Sequence, residues 1–533
     1  MAVTQSNEYQ DRLKKLSDLR DGGISPYVGR YDRTATTKEA LALGEKGSLR
    51  THEEIMAKPS KKALKLCGRL ISFREHGKIS FGNLQDFDGK IQLCFMEDFL
   101  GKDKFEFLKK TDVADFIGAE GELFVTKRGE TTLFVSDFVL LSKALRPLPE
   151  KWHGLQDQEQ KYRQRYLDTV MDRTVLDRFV FRSGLIKALR EFYWQQGFTE
   201  IETPVLENIS SGASARPFIT HHNALDIDVY LRIAAGELWQ KMAIVGGFEK
   251  TFEVARCFRN EGMDPSHLQE FTMVEHYAAY WNFEDNMEFT EKMFESLLQK
   301  TVGTLKINVK DRNGEDRELD FKGPWPRRKF TEIIEHDCGI DVLDYVDDAK
   351  GLLKAIKAKK IVIEKAESLG YGNLVDALYK KVSRPKLVQP TFVTHHPLLT
   401  KPLARKNDEN PTICDTFQLL VNGWEVVNAY SELVDPTDQR ARFEAQAKAK
   451  AGGDEEAMMM NEEYLTAMEH GMPCMSGWGM GIDRLVTLLT GQENLKDSVL
   501  FPLMRPEGIE IARKQVKEGH VYSQEEVYKK LGL

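Results

Sequence analysis

Between residues 64 and 142 the apolar side chains recur at every second position in five short runs, and this pattern limits the fold of the 533-residue chain most tightly. The runs are LKLCGRLISF, KISFGNLQD, KIQLCF, GELFVTK and TTLFVSDFVLL, with breaks at His76-Gly77, Asp88-Gly89 and Arg128-Gly129. A period of two sends alternate side chains to opposite faces of a strand, and glycine-containing breaks between such runs predict turns. One helical patch, DKFEFLKK, separates the third run from the fourth.

Five strands with a helix after the third is the pattern of an OB-fold, a small barrel often used on oligonucleotides. It is placed at 64–142. Ahead of it, residues 1–63 hold one amphipathic helix, with Leu13, Leu16 and Leu19 at helical spacing and Gly22-Gly23 as its stop. Residues 143–157 read as a linker, stiffened by Pro147 and Pro149. Strands and helices alternate over 158–506, so the chain is expected to be α+β. The first long helix there runs from Asp172 to Gln196, with Val175, Leu176, Phe179, Val180, Ile186, Leu189, Phe192 and Tyr193 on its inner face. Residues 444–462 predict a helix and a mobile loop, and 507–533 an exposed helical tail.

An apolar fraction of 41% and a charged fraction of 30% are ordinary for a globular protein. No apolar run approaches the roughly 18–20 residues that span a bilayer. The polar N-terminus has no leader pattern, so a cytoplasmic protein without a membrane partner is expected. Six scattered cysteines, without CxxC spacing, predict reduced core thiols and neither a zinc site nor a disulfide framework. The formal charge of −8 does not advertise a nucleic-acid binder, yet a basic face can sit on an acidic protein.

Four segments concentrate chemistry. GFTEIETPVL (197–206) follows the long helix, and Pro204 ends its strand. FEVARCFRNEGMDPSHLQEFTMVEHY (252–277) reads as strand, polar loop and strand, offering Arg259, Glu261, His267, Phe271 and Glu275 to a ligand. QLLVNGWEVVNAYSEL (418–433) is hairpin-like and groups Glu425, Asn428, Tyr430 and Glu432. GWGMGIDRL (477–485) is expected to be a glycine-rich turn entering a helix, with Arg484 in its first turns. Its glycines lack dinucleotide-fingerprint spacing, and no Walker pattern is present, so any nucleotide chemistry must use another scaffold.

The segments GFTEIETP, FRNEG with HLQEF, and GMGIDR resemble, in order and separation, the three motifs of the class II aminoacyl-tRNA synthetases. ARPFITHHNALDIDVYLRIA (215–234) and KYRQRYLD (161–168) are similar to stretches of the lysyl members. The resemblance covers roughly residues 60–505. It implies an antiparallel catalytic sheet flanked by helices, an OB-fold for the anticodon and a homodimer built partly through the first motif. It also implies ATP-dependent attachment of L-lysine to tRNA(Lys) through a lysyl-adenylate, with Mg²⁺ as cofactor. Carried over residue by residue, Arg259, Glu261 and Arg484 would be catalytic. Arg259 would grip the α-phosphate and the substrate carboxylate, Phe271 and Arg484 would sandwich the adenine, and His267 would approach the distal phosphates. Glu425 would hold Mg²⁺. The lysine pocket would comprise Gly212, Glu237, Arg259, Glu275, Tyr277, Asn428, Tyr430 and Glu432, with Glu237 and Gly212 near the α-amino group and Glu275, Tyr277 and Glu432 near the ε-amino group. Arg74, Phe81, Gln92 and Glu130 would read the anticodon. Lys58, Lys61, Lys62 and Lys65 could neutralise phosphates near the barrel.

The sequence departs from the family pattern at several points. Gln418 stands where a second metal-binding glutamate is usual, so one tightly held Mg²⁺ is expected. Ser266 replaces an arginine, IAAGELWQK is one residue longer than usual, and Val427 and Ala429 replace glycines. Three rivals remain: an aspartate- or asparagine-specific class II synthetase, a lysyl paralogue that modifies a protein, and, different in kind, a catalytically inactive tRNA-binding regulator. The acidic pocket and ARPFITHHNALD oppose the first, the anticodon barrel opposes the second, and Arg259, Glu261, Glu425 and Arg484 oppose the third.

Overall fold

The computed structural model describes residues 7–46, 49–60, 63–149, 155–210, 212–213, 215–310, 314–451 and 458–505. The chain divides into two compact units, Met1–Gln156 and Asp157–Leu533. The division lies within the segment read as a linker.

In the first unit β1 (Leu64–His76), β2 (Ile79–Gln85), β3 (Lys90–Met96), β4 (Phe116–Val125) and β5 (Thr131–Ser142) close a barrel in the order β1-β2-β3-β5-β4. Two short helices, Glu97–Leu100 and Lys102–Leu108, follow the third strand, so this is the OB-fold pattern. The alternation buries Leu66, Leu70, Leu84, Leu93, Phe95, Leu133 and Val135 inside, and the intervening side chains face outward. The N-terminal helix runs Asn7–Asp21, burying Leu16 and Leu19. Two further helices, Thr37–Lys46 and His52–Ala57, lie between it and β1 in the chain.

The second unit is built on an eight-stranded sheet. Its strands in chain order are β6 (Thr199–Glu200), β7 (Lys250–Phe258), β8 (Glu270–Ala279), β9 (Arg327–Lys329), β10 (Thr391–Thr394), β11 (Thr416–Val421), β12 (Trp424–Ser431) and β13 (Met475–Gly481). The spatial order is β9-β10-β11-β12-β13-β8-β7-β6, antiparallel throughout the middle and parallel only in the edge pairs β6–β7 and β9–β10. One face packs on the long helices Arg173–Gln195 and Phe283–Thr301, through Phe192, Tyr193, Phe289, Met293, Phe294 and Trp478. The opposite face carries the cavity.

Four expectations are corrected. GWGMG is strand β13 in the middle of the sheet, and the helix starts only at Ile482. It is not a turn, because its glycines make room for side chains of neighbouring strands, as described below. Val180 is 45% exposed and does not belong to the buried face of its helix. The helix expected from 444 begins at Pro436 and runs to Ala451, and its proposed loop falls partly at 452–457, outside the described residues, as does the tail 507–533. The six cysteines are free, but Cys474 is exposed and is no core thiol.

Candidate active site

The sheet register sets the site. Asn428, Gly479 and Glu275 lie in one row across β12, β13 and β8, and Tyr430, Gly477 and Tyr277 in the next row on the same face. Glu425 and Asn428 are three residues apart, which in a regular strand would put them on opposite faces. The register shifts between Leu419 and Leu420, pairing Leu419 with Val427 and Leu420 with Glu425, so Val426 is an extra residue. This bulge rotates Glu425 to the cavity side, where both residues line the wall. The glycines keep the floor open. A Cβ on Gly477 would meet Glu432 Oε1 at 2.2 Å and Tyr277 Cε1 at 2.4 Å. Gly212, at φ +91°, approaches Glu237 so closely that an added Cβ would lie 3.2 Å from the Glu237 Cβ.

At one end of the cavity three carboxylates converge. Glu237 opens a helix, Glu237–Val245, and Lys241 follows one turn later on the same side. The Lys241 ammonium is buried, 2.9 Å from Glu237 Oε1 and 2.5 Å from Glu432 Oε2, between the rings of Tyr277 and Tyr430. The Tyr430 hydroxyl donates to Glu237 at 2.5 Å. Glu275 accepts the Ala235 N–H at 2.9 Å, and the Tyr277 hydroxyl lies 3.4 Å from its other oxygen. Burial, reinforced by the Glu237 charge, pushes the Glu275 carboxyl up to about 8 against the Ala235 N–H, Arg259 and Lys241. Burial raises Glu432 to about 8 as well, with Lys241 opposing and Glu237 assisting. Glu432 is 2% exposed, and its Oε1 has no hydrogen-bond partner among the described residues.

The other end is cationic. The Arg259 guanidinium lies 5.2 Å from the Phe271 ring centre, and its Nε donates to the Ile233 carbonyl at 3.1 Å. Arg484 Nη1 donates to the Glu425 carbonyl at 3.1 Å. Next to Arg484, the Asp483 carboxylate accepts from Arg182 at 2.5 Å and from the Thr272 N–H at 2.6 Å. That clamp fixes the start of the helix Ile482–Leu489 to the strand bearing Phe271. His267 sits on the exposed loop, 2.8 Å from Asp264, and Glu261 lines the same mouth. Burial pushes the Glu425 carboxyl up, and Arg484, Lys401, Arg384 and Lys380 together more than reverse it. One carboxylate with incoming phosphates and water is a donor set that suits a single Mg²⁺.

On the barrel, Arg74 and Phe81 pair across β1 and β2. Phe81 packs half-buried on an outer cluster of Ile55, Cys94, Phe124 and Phe134. Gln92 donates to Glu130 at 2.8 Å and accepts from Thr132 at 2.9 Å. Lys65 pairs with Glu120 at 3.2 Å, while Lys61 and Lys62 lie outside the described residues.

Residues 157–505 match the family described as tRNA synthetases class II (D, K and N), and residues 64–141 match the OB-fold nucleic acid binding domain. A lysine–tRNA ligase of Carboxydothermus hydrogenoformans is 45% identical over 495 residues, covering 93% of this chain and 97% of the relative. Similar enzymes of that name from Thermosipho africanus and Staphylococcus saprophyticus are 41% and 42% identical, over 96% and 95% of this chain and 98% and 100% of theirs. The chain belongs to the class II lysyl-tRNA synthetase family.

In this class II synthetase, the cavity brings together Gly212, Glu237, Arg259, Glu261, His267, Phe271, Glu275, Tyr277, Glu425, Asn428, Tyr430 and Arg484. Two residues named from the sequence stand apart. Glu432, one residue past the end of β12, reaches over Gly477 to engage Lys241 and is not itself among the side chains that line the cavity. Gln418 is opposite Asn428 in the register and 9% exposed, one strand away from the lining. Sequence reasoning missed Lys241, Lys401, Asp483 and Arg182. The signal for Lys241 was its position one helical turn after Glu237. Asp483 could have been suspected as the charge beside Arg484 at the start of a helix whose remaining residues are apolar or threonine.

Proposed function

We propose that this synthetase activates L-lysine with ATP and transfers the lysyl group to tRNA(Lys), and that the carboxylate cluster at the cavity end selects the amino acid. The cluster is the observation that carries the reading. Glu237, Glu275 and Glu432 face a single resident ammonium, Lys241, so two negative charges remain uncompensated when all three are ionised. A lysine substrate brings two ammonium groups to that end and one carboxylate for Arg259. An unpaired charge in a buried site is expensive, and this ligand leaves none. Aspartate or asparagine would leave the acids unpaired.

In the first step a lysine carboxylate oxygen bonds to the α-phosphorus of ATP. The bond from that phosphorus to its bridging oxygen breaks, and pyrophosphate leaves with the electron pair. In the second, a ribose hydroxyl at the tRNA end attacks the lysyl carbonyl and AMP departs. Such chemistry needs positioning and charge neutralisation more than a covalent nucleophile. Arg259 bridges the two reactants as a planar fork, Phe271 and Arg484 flank the base, and His267 meets the outer phosphates. Glu425 would hold one Mg²⁺, which neutralises phosphate charge when bound. On the barrel, Phe81 offers a ring for stacking, with Arg74, Gln92 and Glu130 beside it. Exposed apolar side chains at Val180, Trp194, Val205, Leu206 and Ile219 support a homodimer made around the first motif. A cytoplasmic location belongs to this reading; among the described residues no helix is long and apolar enough to cross a membrane. ATP–pyrophosphate exchange run across all twenty amino acids tests the reading. Stimulation by lysine is expected, and stimulation by aspartate alone would defeat it.

A further inference from the structure

Lys401 belongs to the stretch Thr400–Ala404 that forms one wall of the cavity. Its Nζ donates to Asn428 Oδ1 at 3.2 Å, which holds the ammonium where the amino-acid end meets Glu425. It is part-buried and forms no ion pair with a carboxylate among the described residues within 4.0 Å, unlike Lys241. Its charge also acts on Glu425, together with Arg484, Arg384 and Lys380. Across the strand pair the residue opposite Asn428 is the neutral Gln418. Among the described residues no group of three His, Cys, Asp or Glu side chains could hold a metal ion. A single carboxylate surrounded by cations has little negative charge to share between two divalent ions, whereas an incoming triphosphate has several to neutralise.

We propose that Lys401 is a phosphate-binding cation of the activation step, supplying at the Asn428–Glu425 wall the positive charge that a second, bridging metal ion would otherwise bring. The inference rests on the lysine- and ATP-using reading of this cavity. In that reaction negative charge moves from the attacking carboxylate to the departing pyrophosphate, and no proton is transferred. An ammonium fixed beside Asn428 is close to both ends of that movement. It needs no second carboxylate to hold it, which is the chemical counterpart of an amide at Gln418.

The test uses the full-length protein, with ATP affinity measured by calorimetry at saturating Mg²⁺ and bound Mn²⁺ counted by electron paramagnetic resonance. Wild type is expected to hold one Mn²⁺ per site with ATP. Lys401→Met is expected to weaken ATP binding about tenfold, and Lys401→Arg to stay within about twofold of wild type. Lys401→Ser combined with Gln418→Glu is expected to raise the Mn²⁺ count to two. Two or more Mn²⁺ in wild type, or unchanged ATP affinity in Lys401→Met, would overturn the proposal. Lysine-dependent ATP–pyrophosphate exchange by wild type, run alongside, separates the two ideas: its absence would defeat the functional reading itself.

Discussion

Burial, with the Glu237 charge assisting and Lys241 opposing, raises the Glu275 and Glu432 carboxyls to about 8, so around neutral pH the protonated form of each competes with the ionised one. A lysine ammonium favours their ionised forms, and binding must therefore release protons. Apparent lysine affinity should rise as pH increases from about 6 to 8 and flatten above, by up to about tenfold per unit for each proton displaced. Calorimetry in two buffers of different ionisation enthalpy would measure the release directly. The same groups act on stability. Their folded pKa lies above the ordinary carboxylate value, so their contribution is full at low pH and is lost as pH rises toward 8. Saturating lysine should consequently raise the melting temperature more at pH 8 than at pH 6. Glu275→Gln should cost about 3–5 kcal/mol of lysine-dependent activation, by leaving a buried ammonium short of its charge partner. Unchanged kinetics would place Glu275 outside the lysine subsite.

At the scale of elements, β13 is the strand on which the site is assembled. Gly477 is opposite Tyr277 on one side and Tyr430 on the other, and the Glu432 side chain crosses where its Cβ would be. Gly477→Ala should therefore displace Glu432 or Tyr277, costing about 1–3 kcal/mol of stability as overpacking and weakening lysine binding more than ATP binding. Equal loss of both ligands would show that the strand has moved as a whole. The Arg182–Asp483–Thr272 clamp has a different role, joining the helices Arg173–Gln195 and Ile482–Leu489 to β8. Arg182→Met leaves Asp483 buried at 2% exposure without its cation. The expected cost is about 3–5 kcal/mol, seen as a lowered denaturation midpoint with the lysine preference retained.

For the molecule as a whole, each unit carries its own apolar core and its own chemistry. A fragment starting at Asp157 should keep lysine-dependent ATP–pyrophosphate exchange and lose efficient tRNA charging, provided that its oligomeric state matches the intact protein. In the full chain, Phe81→Ala should cost about 1–3 kcal/mol of tRNA affinity if a base stacks on that ring. Phe81 also packs on the outer cluster around Phe134, so a melting curve must accompany the measurement. Full tRNA charging by the fragment would remove the barrel from the reading of the anticodon.

Periodicity and motif order were enough to place the barrel, the long helix Arg173–Gln195 and the strand-loop-strand around Arg259, because those features are local: alternation, helical spacing and turn residues act within a few positions. Sequence order also brought Glu237, Glu275 and Tyr430 under suspicion, through their chemistry and the family they resemble. Other features depended on partners distant in sequence. The bulge at Val426, which sends Glu425 and Asn428 to one wall, arises from pairing with β11. The glycines of β13 read as a turn, since nothing nearby shows that Tyr277 and Glu432 pass over them. Lys241 and Lys401 take their roles only in the folded chain, one enclosed between Glu237 and Glu432 and the other set against Asn428. A charge acquires its role from what surrounds it after folding, and those surroundings come from chain segments far away in sequence, 301 residues for Arg182 and Asp483.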